Sequence, residues 1–183
     1  MDALELLLSR SSQPRLQAPA PSPDALENIM QAALRVPDHM GLTPWHFVVC
    51  HKDGLKKLGD IFVQAAVIEG MGDKHIERAP QLPLRAPMVI VAIAKYTEHE
   101  KVPWIEQVAS TSCAVSAMQM AAVAQGYAGV WRTGNYAQSE VVKQAFKLNK
   151  KDEIVGFLYL GSSSLKTMPK PVKQSKDFFE VWQ

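Results

Sequence analysis

Apolar and polar positions along the chain fall into helical spacings separated by short apolar runs. "LELLL" puts Leu4, Leu7 and Leu8 on one helical face, and Asp2 with Glu5 three positions later resembles a capping box. This predicts a first helix from about Ala3 to about Ser9. The proline-rich "QPRLQAPAPSP" after it is not helical. Ser22 as N-cap and Pro23 at the first helical position open a second helix, "DALENIMQAALRV". It is expected to stop near Val36, because Pro37 disfavours helical geometry in the residue before it.

"WHFVVC", Trp45 to Cys50, reads as a strand, and "KDGLKKLGDIFVQAAVIEG" returns to helical spacing. The segment from Met71 to Pro87 is irregular and is expected to be mobile. "MVIVAIA", Met88 to Ala94, is a continuous apolar run of strand length, as a central strand covered on both faces would be. A polar crossing, "YTEHEKVP", leads to a helix from roughly Trp104 to Gln125 that carries no charge between Ala109 and Ala124. A helix apolar all round is a buried one, and its small side chains admit close neighbours. Gly126 fits its C-terminal glycine. "AGVWRT" and "IVGFLYLG" add two strands around the helical "SEVVKQAFKL", and "MPKPVKQSKDFFEVWQ" is polar and proline-broken until its aromatic end. The pattern describes one α+β domain over residues 1–183, with about four strands, mixed or antiparallel, around a buried central helix.

Composition narrows the chemistry. The chain is 47% hydrophobic and 21% charged, and its 20 basic and 18 acidic residues leave a formal charge of +2. That balance argues against nucleic acid or an anionic membrane as the main partner. No apolar stretch reaches the roughly 20 residues of a spanning helix, and the N-terminus lacks a basic n-region, so a cytoplasmic protein is expected. Cys50 and Cys113 are isolated thiols in no disulfide, metal or nucleophile motif.

No phosphate-cradling glycine loop is present: "GMG" follows no strand, and "GYAGVWRTG" has the wrong spacing for a dinucleotide fingerprint. His39, His46, His51 and Cys50 are close in sequence but share no ligand spacing, so a metal-dependent hydrolase is disfavoured. Cations next to hydroxyls are more informative. Arg10, Ser11 and Ser12 end the first helix, where the macrodipole alone would explain an arginine. Arg35 lies in the last turn of the second helix with His39 just beyond Pro37, and Arg132 sits in a strand-like run where an unpaired guanidinium is costly to bury. Taken singly each is structural; together they could grip an oxyanion. Trp45, Phe47 and Trp131 read first as packing residues.

Taken in order, the blocks Arg10-Ser11-Ser12, "ALRVPDH", "GLTPWHFVV", "CAVSAMQMAAVAQGYAGVWRTG" and "IVGFLYLG" resemble the FMN-dependent nitroreductase family, most densely its compact YdjA-like branch. The resemblance spans Asp2 to about Gly161. It implies a nitroreductase-like fold in an intertwined homodimer, with FMN at the subunit interface. Arg10, Ser11 and Ser12 would hold FMN from one chain together with Trp131, Arg132 and Thr133, and Arg35 and His39 would reach it from the partner. The stretch Ala121, Ala122, Val123, Ala124, Gln125 and Gly126 is similar to a nicotinamide-contacting segment. The implied activity takes a hydride from NAD(P)H and reduces nitroaromatic or quinone-like small molecules by a ping-pong sequence, with segment 71–87 on the substrate side and no protein nucleophile. A non-enzymatic flavin store or sensor is the alternative. Two positions depart from the family pattern: Ser11 stands where the branch has a second arginine, and Pro14 where larger members place a lysine, leaving Arg15 or a backbone N–H to tune the flavin.

Overall fold

Two helical layers enclose one antiparallel sheet in the computed structural model, which describes residues 2–164, 171 and 173–183. The strands β1 (Trp45–His51), β2 (Met88–Ala94), β3 (Ala128–Arg132) and β4 (Glu153–Gly161) lie in the order β1-β2-β4-β3, and every neighbouring pair runs antiparallel. The helices are α1 (Ala3–Ser9), α2 (Pro23–Ala33), α3 (Asp53–Ile68), α4 (Asp73–Arg78), α5 (Trp104–Ala124), α6 (Asn135–Gln138) and α7 (Glu140–Ala145). This is the α+β class expected, with the sheet antiparallel rather than mixed. The proline-broken start of the tail, 168–170, lies outside the described residues.

Strand β2 is buried at every position because it has a strand on each side and helices on each face. Its alternation feeds two cores. Val89, Val91 and Ile93 face α3 and α7, whereas Met88, Ile90 and Ala92 face α2 and α5. Strand β4 would break this alternation without a bulge. Ala92 pairs with Gly156 but Ile93 with Ile154, so Val155 is an extra residue. Ile154, Phe157 and Tyr159 thereby share the α3 face, while Val155, Leu158 and Leu160 share the α5 face. Only glycine suits the bulge, since Gly156 has φ +150° and a Cβ there would lie 2.3 Å from the Trp131 Nε1.

Helix α5 buries the stripe Gln107, Ser110, Thr111, Ala114, Val115, Met118, Gln119 and Ala122. Its buried polar groups fasten loops. Ser110 Oγ donates to Pro37 O (2.7 Å), Thr111 Oγ1 to Pro44 O (2.8 Å) and Gln119 Nε2 to Gly129 O (2.9 Å). The opposite face, with Ala109, Cys113 and Ser116, is exposed in the single chain. Helix α1 spans its expected residues, and Asp2 caps it by accepting from Glu5 N (2.9 Å). Leu4, Leu7 and Leu8 nevertheless stay exposed. Helix α2 has the expected Ser22 cap and Pro23 start but ends at Ala33, a turn before Val36.

Segment 71–87 is more regular than its sequence pattern implies. It holds α4 and two short 3-10 turns, Ala79–Gln81 and Pro83–Arg85. It packs closely on α3: a Cβ at Gly59 would lie 3.0 Å from Pro80 O.

Candidate functional site

The two ends of β3 position the candidate residues. At its start, Gln13 N donates to Gly129 O (3.0 Å), which moors the segment leaving α1 against the sheet edge. Arg10 and Ser11 are half-buried there and Ser12 is exposed. Ser11 Oγ accepts a long hydrogen bond from Gln13 Nε2 (3.4 Å). At the other end of β3, alternation splits the neighbouring pair. Trp131 turns to the α5 face, and its Nε1 donates to Val155 O (3.2 Å). Arg132 turns to the α3 face, with its guanidinium carbon 5.7 Å from the Tyr159 ring centroid.

Arg132, Thr133 and Gly134 form one lip of a cavity of about 1020 Å³. The Arg132 Nε is buried and has no hydrogen-bond partner among the described residues. A buried donor left unpaired costs about 1–3 kcal/mol, so it marks a place for an acceptor. The floor is aromatic: Phe62 stacks on Tyr136 with centroids 4.3 Å apart and meets Phe157 edge-on at 5.2 Å. Burial raises the Tyr159 and Tyr136 hydroxyls above the usual phenol value, tempered by Arg132 and Arg85 at Tyr159 and by Arg78 at Tyr136. Both phenols are therefore neutral donors at physiological pH.

Arg35 and His39 do not line this cavity. Arg35 is exposed just past α2, and His39 Nδ1 lies 2.8 Å from Glu106 Oε2 in the first turn of α5. The stretch Ala121 to Gly126 closes α5. Ala122 is in the core, and the Gln125 amide joins α5 to α2 through Ala25 O (3.2 Å) and Asn28 Nδ2 (2.9 Å). Ala124, Gln125 and Gly126 are exposed. Burial pushes the Cys50 thiol up to about 11, so it is not a thiolate nucleophile near neutrality.

Sequence reasoning missed the cavity's other cations: Lys74 and Arg78 on α4, and Arg85 beyond it. Little in the sequence signals them, because Asp73 and Glu77 stand next to Lys74 and Arg78 and Arg85 is isolated among apolar residues. The sequence groups Trp131 with Arg132 and Thr133, but only Arg132 and Thr133 reach the cavity.

Comparison with known proteins extends these observations. The nitroreductase family model matches residues 7–162. The chain is 49% identical to YdjA of Escherichia coli (strain K12), named as a candidate NAD(P)H nitroreductase, over 91% of both chains. It is 39% identical to a Haemophilus influenzae protein of the same designation, covering 97% of this chain and 98% of that one. Among solved structures, a nitroreductase-like family protein from Bacillus cereus superposes with a TM-score of 0.88 at 21% identity, covering 100% and 96% of the two chains. A point mutant of NfnB, an FMN- and NADPH-dependent nitroreductase of a Sphigopyxis strain, has the same fold with a TM-score of 0.77 at 14% identity, over 100% and 99%.

Proposed function

The chain belongs to the nitroreductase family of oxidoreductases, and from that premise we propose that it is an FMN-dependent enzyme that moves reducing equivalents from NAD(P)H to nitroaromatic or quinone-like acceptors. The observation that carries the reading is the orphaned Arg132 Nε, buried beside Thr133 at a cavity lip. The donors suit a phosphorylated flavin: Arg132 and Thr133 at that lip, and Arg10, Ser11 and Ser12 toward the other end of β3, offer charge-assisted hydrogen bonds to oxyanions and electron-rich ring edges.

In this reading Arg10, Ser11 and Ser12 bind from the end of α1, and Arg132 and Thr133 from the end of β3, with Trp131 anchoring that strand end from the α5 face rather than reaching the cavity. Arg35 and His39 come from a second copy in a homodimer. The exposed small-residue face of α5 and the exposed leucines of α1 are surfaces such a dimer would cover. When bound, FMN would supply the redox chemistry, accepting a hydride from NAD(P)H and passing electrons to the acceptor in a ping-pong sequence. The protein's part is to hold the ring, exclude water with the Phe62, Tyr136 and Phe157 floor, and set cations where negative charge develops. Segment 71–87 lies on the acceptor side, and its α4 end lines the cavity.

Purified protein should be yellow, and anaerobic addition of NADPH should bleach its flavin band. Yellow protein that does not bleach would instead be a flavin store or sensor, a reading that Ser11 in place of an arginine favours. Sustained NAD(P)H consumption with added acceptor separates the two.

A further inference from the structure

Three arginines line the cavity, and among the described residues no carboxylate pairs with any of them. Arg78 ends α4, half-buried Arg85 lies in the next turn, and Arg132 ends β3. Among the described residues none of the three forms an ion pair, whereas Lys56, Lys95, Lys143 and Lys151 all do. Lys74 joins them on the rim, and Asp73 is the one carboxylate there among the described residues. The helix dipole accounts for Arg78 alone, and with Arg132 assigned to the flavin, half-buried Arg85 is left without an ion-pair partner among the described residues. Cations that share a cavity repel one another, and an oxyanion accepting from the forks of Arg85 and Arg78 relieves that repulsion. The buried Phe62, Tyr136, Phe157 and Tyr159 rings make the rest of the cavity lining apolar, which suits an aromatic body.

We infer that the cavity selects an aromatic electron acceptor bearing a carboxylate, which Arg85 and Arg78 recognise beside the aromatic floor. The term acceptor rests on the reductase reading above, whereas the anion site stands on the cavity's own geometry. Arg85 and Arg78 are specificity-determining residues, separate from the residues assigned to the flavin.

The test compares 4-nitrobenzoate with its neutral methyl ester by calorimetry on the protein as purified, and by steady-state KM. Wild type should bind the carboxylate at least about tenfold more tightly than the ester, the scale of a charge-assisted hydrogen bond. Arg85→Gln should erase that preference, Arg85→Lys should restore part of it, and ester and flavin affinity should change less than about twofold, which also shows that the variants fold. Arg78→Gln should give a smaller loss, because its side chain is exposed. Equal binding of acid and ester by wild type overturns the inference. So does a fall in flavin affinity in Arg85→Gln, which would assign the guanidinium to the cofactor phosphate. Weaker NADPH binding in Arg85→Gln with nitrobenzoate binding intact overturns it too, by assigning the site to the nucleotide. A flavin that fails to bleach while the acid–ester preference persists would sink the reductase reading and leave the anion site standing.

Discussion

Asp152 is the residue on which the loop before β4 depends. Its side chain is 1% exposed and bonds to the Lys95 ammonium, to Tyr96 N (2.9 Å) and to Asn149 N (2.8 Å). Burial alone would raise its pKa, but the Lys95 ammonium and the two backbone donors outweigh it and hold the carboxyl below the usual value. A depressed carboxylate contributes stability that is fully present above its unfolded value near pH 4 and lost as pH falls through the folded one. Asp152→Asn should therefore cost about 2–3 kcal/mol at neutral pH. Urea unfolding should show the gap to wild type narrowing below about pH 4. An unchanged gap at low pH would mean that Asp152 acts through shape rather than charge. Nothing in the sequence singles out Asp152, because its partners Lys95 and Tyr96 lie over fifty positions away. Arg132 was legible for the opposite reason: a guanidinium inside a strand-like run is anomalous by itself.

Caps, prolines and apolar runs made most elements legible. Ser22 and Pro23 start α2, Gly126 with φ +84° follows α5, and the run Met88 to Ala94 is β2 without a residue to spare. The short helices α4 and α6 were not legible, because they bury few side chains of their own and packing on α3 and β4 holds them. The Gly156 bulge was hidden for another reason. In "IVGFLYLG" nearly every residue is apolar, so the hydrophobic pattern does not report which face each one takes. Gly156→Ala tests the bulge. Its methyl would collide with the Trp131 indole and adopt a backbone geometry open mainly to glycine. We expect a loss of about 3 kcal/mol by thermal or urea unfolding, with weaker binding of the proposed flavin at Arg132 because Trp131 must move. A loss below about 1 kcal/mol would show that the strand can relax around the methyl.

At the scale of the molecule, the residues proposed to hold the flavin stand in the sequence only as separate blocks, since helical and strand periods carry no information about a second copy. The single chain brings Arg10 and Arg132 to the two ends of β3 and leaves Arg35 and His39 outside the cavity. It also leaves Leu4, Leu7 and Leu8 exposed on α1, and Ala109, Cys113 and Ser116 exposed on α5. The proposed homodimer would complete each site with Arg35 of the opposite copy. Arg10→Gln and Arg35→Gln should each weaken flavin binding at least about tenfold as homodimers. In a heterodimer carrying one variant per chain, purified through two different tags, one site collects both substitutions and the other collects neither. Half of the sites should then regain wild-type affinity, seen as a biphasic flavin titration. If Arg35 served its own chain instead, every site would carry one substitution and no high-affinity phase would return. The titration therefore separates a shared site from a private one without depending on turnover.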